Sequence, residues 1–181
     1  MLALFAILTA CGIVPEIVET PPTAQTPMKI ILDTDIGDDI DDAYALALLA
    51  SHPGVQLLGI TTAFGQTRER AELAAKLLQV IGRKDVPVHA GRRGEAAIRD
   101  QYAWARGFRS SAIKKEDAVT FLKQQFDRAP GEITLIAIGP LTNIGDLLSR
   151  HPEVKSKIRR LVIMGGAIYV GFVAAMDPRR R

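Results

Sequence analysis

Six aspartates fall within ten positions directly after a short apolar run. The segment "KIILDTDIGDDIDDAYAL" places them at residues 33, 35, 38, 39, 41 and 42. Carboxylates this close repel one another, and each raises the pKa of its neighbours, so a positive charge is needed to keep them ionised. A helix N-terminus could satisfy one or two of them, with Asp41 and Asp42 the candidates. The others predict a divalent cation, and an all-oxygen set suits Ca²⁺ or Mg²⁺ rather than zinc.

Three alternatives to this metal site can be compared with the spacing. A solvated acidic loop that caps a helix would need no metal. An EF-hand loop fails, because counting from Asp33 puts Gly37 at position 5 and Tyr44 at position 12, where glycine at 6 and glutamate at 12 are required. A haloacid-dehalogenase-like phosphohydrolase also has Asp-x-Asp after its first strand. It stays open as a second interpretation, with Asp33 attacking phosphorus beside Mg²⁺.

The elements that would position these residues alternate along the chain. Strands are predicted at KIILDT, VQLLGITT, VPVHAG, EITLIAIG and IRRLVIMGG, with helical periodicity between them and a long polar loop at residues 92–113. This alternation predicts an α/β fold with an open, mainly parallel sheet flanked by helices. Ligands of such sheets bind at the carboxyl ends of the strands, which is where the aspartates begin.

Four segments in order resemble one known family. "ILDTDIGDDIDDAYAL", "GITTAFGQT", "GPLTNI" and "LVIMGGA" are similar to the signatures of the inosine-uridine preferring nucleoside hydrolases, over residues 28–168. The resemblance implies a Rossmann-like nucleoside hydrolase fold. It also implies calcium-dependent hydrolysis of the N-glycosidic bond of ribonucleosides to ribose and free base.

The resemblance assigns a metal site. Asp35 would bind calcium and act as the general base on a calcium-bound water, and Asp42 would be the bidentate calcium ligand. The backbone carbonyl of Ile138, after the fourth strand, would be a further ligand. Asp33 would hold the loop from behind.

The resemblance also assigns contacts to the substrate. Asp41 would bind a ribose hydroxyl, although a two-residue insertion leaves Asp39 as a competitor for that role. Met164 would lie beside the ribose. Gln66 stands where many family members have an asparagine that binds a ribose hydroxyl, and its extra methylene alters that contact.

The N-terminus predicts export. Residues 1–11 end in Leu-Thr-Ala-Cys and resemble the signal segment of bacterial lipoproteins, with Cys11 as the lipidated residue, and residues 12–27 form a Pro- and Thr-rich tether. We therefore expect a cell-envelope location, with a lipid anchor as the only membrane attachment. If translation starts at Met28, the protein would instead be cytoplasmic.

The C-terminus departs from the family pattern. Residues 169–181 lack the Ala-Glu-Phe-Asn-like segment and the later His-Asp pair of family members, so we expect a frameshift, a deletion or an early stop rather than the alternative, a deliberate short form. The domain at 28–168 would then be an N-terminal part with impaired or lost activity, or a non-catalytic remnant that binds calcium or ribosides.

The net charge of +3 equals the three arginines at 179–181, so no nucleic-acid partner is predicted. Family members are commonly homo-oligomers.

Overall fold

The computed structural model describes residues 26–98 and 101–165. The predicted signal segment with Cys11, nearly all of the tether and the tail at 169–181 lie outside the described residues. Within the described ranges, no helix combines the length and apolar character needed to cross a bilayer.

Strands and helices alternate as the sequence predicts. The strands are β1 (Met28–Thr34), β2 (Val55–Thr62), β3 (Val88–Ala90), β4 (Thr134–Ala137) and β5 (Arg160–Ile163). The helices are α1 (Asp41–Ser51), α2 (Thr67–Ile81), α3 (Tyr102–Ala105), α4 (Ala118–Arg128) and α5 (Thr142–Arg150), with a 3₁₀ turn at Pro152–Lys157. The predicted α/β class is confirmed. The segment predicted as a long loop contains α3, which packs beside α2.

All five strands are parallel and lie in the order β3-β2-β1-β4-β5. The chain runs outward from β1 through β2 to β3, then crosses back to place β4 on the other side of β1. This reversal creates a crevice outside the carboxyl end of β1, the place where ligands bind in such sheets. Asp33 is paired with Thr61 on β2 and with Ala137 on β4, so the acidic segment leaves β1 at that crevice.

The core explains why β1 is central. Its side chains alternate between two hydrophobic clusters, with Leu32 in the cluster of α1 and α2 and Ile31 in that of α4 and α5. Both residues are fully buried, as are Leu46 on α1 and Leu147 on α5. Full burial of such a side chain contributes about 1.5–3 kcal/mol, so the packed layers fix the strand that leads into the aspartates.

Candidate active site

Five of the six aspartates line a cavity of about 430 Å³ at the carboxyl ends of β1, β4 and β5. The cavity wall is formed by Asp35, Asp38, Asp39, Asp41 and Asp42, the turn of residues 138–141, and Ile163, Met164 and Gly165. Five of the residues assigned from the sequence therefore lie together: Asp35, Asp41, Asp42, Ile138 and Met164. They come from three segments of the chain, at residues 35–42, 138 and 164, and the parallel sheet brings them to one edge.

Thr34 joins the end of β1 to the start of α1. Its hydroxyl donates to Asp42 Oδ1 at 2.5 Å and accepts from the Ile36 backbone N–H at 3.1 Å. Asp42 is 5% exposed and sits in the first turn of α1, where the helix dipole favours a carboxylate. One hydroxyl thus fixes both the acidic loop and one of the two predicted metal-binding carboxylates.

The turn after β4 approaches Asp35 closely. A Cβ atom placed on Gly139 would lie 2.7 Å from Asp35 Oδ1 and 2.8 Å from the Asp35 backbone nitrogen, so only glycine permits this approach. The same turn is attached to β1 because the Ile138 N–H donates to the Asp33 carbonyl at 2.9 Å. Met164 is attached in turn, with its N–H donating to the Ala137 carbonyl at 2.9 Å.

Burial and mutual repulsion make the carboxylates around the cavity harder to ionise, and a bound cation would offset both effects. Burial raises the pKa of Asp35, and the Asp38 and Asp41 carboxylates raise it further, while Arg70 lowers it. Burial also raises the pKa of Asp42 to about 6, with the Thr34 hydrogen bond opposing the shift and Asp35 and Asp41 adding to it. Each raised pKa means that ionising the group costs free energy in the fold.

The donors around the cavity fit calcium in their chemistry. Asp35 and Asp42 offer carboxylate oxygens and Ile138 offers a carbonyl, and hard oxygen ligands of this kind suit Ca²⁺. In the part of the chain that the structure describes, no three acidic, histidine or cysteine side chains converge to form a metal site by themselves. The described residues therefore supply part of an oxygen set, which water and substrate hydroxyls could extend.

Asp33 does not line the cavity. It is fully buried, and its Oδ1 accepts from the Thr61 hydroxyl at 2.5 Å and from Asn143 Nδ2 at 2.7 Å. Burial raises its pKa to about 6, against the lowering effect of these hydrogen bonds. The second oxygen, Oδ2, has no hydrogen-bond partner among the described residues. A carboxylate enclosed in this way cannot reach a phosphorus atom in the cavity, which argues against the phosphohydrolase interpretation.

Gln66 also lies away from the cavity lining. It precedes α2, and its Oε1 accepts from the Ile98 N–H at 3.2 Å, so the side chain holds the loop that follows β3. Trp104 of the long segment packs elsewhere as well, with Lys76 Nζ 4.5 Å from its ring centre.

Sequence reasoning missed two buried polar residues behind the site, Arg70 and Asn143. Asn143 Nδ2 bridges Asp33 and the Thr62 carbonyl at 3.1 Å and so joins α5 to the ends of β1 and β2. Both residues were detectable in principle, since each is a polar residue at helical spacing from the buried apolar stripe of its helix: Arg70 lies three residues before Leu73, and Asn143 four residues before Leu147.

An open parallel sheet with a carboxylate-lined cavity at its switch point is the ligand-binding arrangement of doubly wound α/β proteins. The chain belongs to the inosine-uridine preferring nucleoside hydrolase family, whose model matches residues 30–177. The resemblance seen in the four motifs is therefore confirmed.

Individual relatives give the same result. The chain is 33% identical over 164 residues to the probable uridine nucleosidase 2 of Oryza sativa subsp. japonica, covering 82% of this chain and 47% of that protein. It is 38% identical over 155 residues to the pyrimidine-specific ribonucleoside hydrolase RihA of Shewanella oneidensis, covering 78% and 48%. The solved plant nucleoside hydrolase PpNRh1 superposes with a TM-score of 0.68 at 32% identity, covering 80% and 50%. The chain spans about half the length of the relatives it matches.

Proposed function

We propose that this chain carries the calcium- and ribose-binding half of an enzyme that hydrolyses the N-glycosidic bond of ribonucleosides to ribose and free base. The supporting observation is the convergence of Asp35, Asp41, Asp42, Ile138 and Met164 around one cavity at the switch point of the sheet. Similarity to a uridine nucleosidase and to a pyrimidine-specific hydrolase makes uridine the first substrate to test.

Each assigned residue has a separate role in the reaction. Asp35 accepts the proton of the attacking water as general base. Asp41 accepts a hydrogen bond from a ribose hydroxyl, and Met164 provides apolar surface beside the sugar. When bound, calcium supplies a positive charge that orients water and lowers its pKa.

The acidic wall also suits the transition state. Cleavage of the N-glycosidic bond builds positive charge on the ribose as the base leaves, and fixed carboxylates stabilise that charge. The leaving base must also be protonated, which requires an acid. The lining residues in the described ranges include no histidine to act as that acid. The family resemblance assigns that step to the His-Asp pair that this sequence lacks.

Uracil release from uridine tests this proposal. With calcium present we expect slow release by the wild-type chain, because the lining residues in the described ranges supply no histidine to protonate the leaving base. We expect this release to be lost on chelation and in Asp42→Ala. Asp127→Ala is the matched control, because Asp127 pairs with Lys123 and Lys157 outside the cavity. Equal release by Asp42→Ala and wild type would contradict the proposal. Calcium binding with no release by any variant would instead favour the non-catalytic calcium- or riboside-binding alternative.

The proposal includes a cell-envelope location through a lipid anchor at Cys11, and homo-oligomer formation as in the family. Incorporation of an alkyne-labelled fatty acid by the wild type, and none by Cys11→Ser, is the expected result in a bacterial host. Labelling that survives Cys11→Ser, or a complete absence of labelling, would contradict the anchor. Sedimentation velocity of the soluble chain tests the oligomer.

A further inference from the structure

Arg70 is a charged residue placed wholly inside the protein. It lies in the first half of α2 and is 0% exposed, among inward-facing alanines and leucines of that helix. Burying a guanidinium is costly unless its N–H groups are paired, so the contacts of this side chain indicate what it stabilises.

Three of its hydrogen bonds reach the acidic loop. Nη1 donates to the carbonyl of Asp35 and, at 3.0 Å, to that of Ile36, while Nη2 donates to Asp38 Oδ2 at 2.9 Å. The fourth, from Nε, reaches the Phe64 carbonyl at 2.8 Å and so joins the loop to the end of β2. A planar guanidinium makes this set of directed bonds, whereas a lysine ammonium cannot reproduce the fork.

The loop passes the guanidinium at Gly37. Gly37 has φ of +132°, a conformation that other residues rarely adopt, and a Cβ there would lie too close to Ile98, 2.7 Å from its Cγ1, and at an ordinary contact distance of 3.4 Å from Arg70 Nη1. Because Arg70 fixes the main chain at Asp35 and Ile36, it also limits where the Asp35 carboxylate can point.

We propose that Arg70 is a positioning residue that holds the loop of residues 35–38 in its ligand-ready conformation, so that Asp35 faces the cavity before calcium or substrate arrives. It acts through the main chain and the Asp38 carboxylate. The effect on calcium affinity rests on the proposed function, whereas the ordering of the loop does not.

Arg70→Lys, which retains the charge but loses the fork, tests this proposal. Arg83→Lys is the matched control, since Arg83 also donates to a carbonyl, that of Ala50, and pairs with Asp85 away from the cavity. Without metal, we expect amide exchange at residues 35–39 to rise about tenfold or more in Arg70→Lys and to stay unchanged in Arg83→Lys. Calorimetry should show calcium affinity lowered about tenfold in Arg70→Lys alone.

Equal exchange of this loop in the two variants would overturn the proposal, as would unchanged calcium affinity beside a wild type that binds. A wild type that binds no calcium would remove the calcium part of the proposed function and leave the exchange comparison to decide on Arg70.

If Arg70→Lys does not fold cooperatively, a second pair of variants tests the proposal. Asp38→Ala removes the carboxylate that Arg70 contacts, and Asp39→Ala removes the neighbouring, more exposed carboxylate that also lines the cavity. We expect faster exchange at residues 35–37 in Asp38→Ala than in Asp39→Ala. Equal exchange in this pair would overturn the proposal.

Discussion

Aspartates within ten positions have different roles because their surroundings differ. Asp33 is enclosed by Thr61 and Asn143, Asp42 is held by the Thr34 hydroxyl, and Asp35 lines the cavity beside Gly139. The charge pattern alone predicts a cation site but does not distinguish these roles. The hydroxyl and amide donors from neighbouring elements do.

Thr34→Val tests one of these donors. Valine has nearly the same shape but leaves Asp42 Oδ1 and the Ile36 N–H without their partner, which costs about 1–3 kcal/mol of folding stability. We expect urea unfolding to show this loss and calorimetry to show weaker calcium binding. Thr120→Val, which removes a hydroxyl bond to Asp117 on the surface of α4, should leave calcium binding unchanged. Equal calcium affinity in both variants would contradict the role of Thr34.

We predict that His89 makes the folding stability fall at low pH. Its ring stacks on Phe121 with centres 4.0 Å apart, and Nδ1 lies 3.0 Å from the Glu116 carbonyl. Burial lowers its pKa from the usual 6.5, and Lys114 adds to this, while the Glu116 carbonyl, the Glu116 carboxylate and Asp117 oppose it. The unfolded chain therefore binds the proton first, so this stability is present above pH 6.5 and falls as the pH drops below it.

The raised pKa values of Asp33 and Asp42 act in the opposite direction, because those groups bind protons more readily in the fold. His89→Phe isolates the histidine. In metal-free urea unfolding between about pH 7.5 and 5.5, the wild type should lose more stability, or gain less, than His89→Phe. The same pH dependence in both proteins would show that His89 does not contribute.

At the scale of elements, the turn between β4 and α5 sets how closely the chain approaches Asp35. Gly139→Ala would push against Asp35 Oδ1 and the Asp35 nitrogen, so we expect lower calcium affinity with cooperative folding retained. Gly145→Ala is the control. Nothing lies within 4 Å of a Cβ there, and alanine in a helix stabilises by about 0.5–1 kcal/mol. Calcium affinity in Gly139→Ala equal to that in Gly145→Ala would contradict the close approach.

The elements were largely predictable, and the support behind the site was not. Apolar runs in β1 and β2 and the helical spacing in α1 and α2 come from local periodicity, and the parallel sheet follows from their alternation. Gln66 shows the limit of prediction from local sequence, because its partner Ile98 lies 32 residues further along the chain and their contact depends on the path of a loop. Arg70 shows it again, since its partners at residues 35–38 and 64 meet it only after α2 has packed on the sheet.

At the scale of the whole molecule, the described sheet ends in an apolar strand. Among the described residues β5 pairs only with β4, and Leu161, Val162 and Ile163 are 41%, 42% and 49% exposed, so both faces of the strand are apolar and open. A strand at the edge of a sheet favours association with another strand. We expect the chain to self-associate in sedimentation velocity and Val162→Lys to reduce this. Val80→Lys, on the exposed face of α2, is the control, and equal association in the two variants would contradict the role of the edge.

The central claim is that Asp35 and Asp42 form a calcium site at the switch point of the sheet, and calcium titration by calorimetry tests it most directly. We predict calcium binding by the wild type, with affinity lost in Asp35→Asn and in Asp42→Asn and retained in Asp85→Asn, which changes an exposed aspartate between α2 and β3 that pairs with Arg83. Calcium binding of equal strength in all four proteins, or none in the wild type, would contradict the claim.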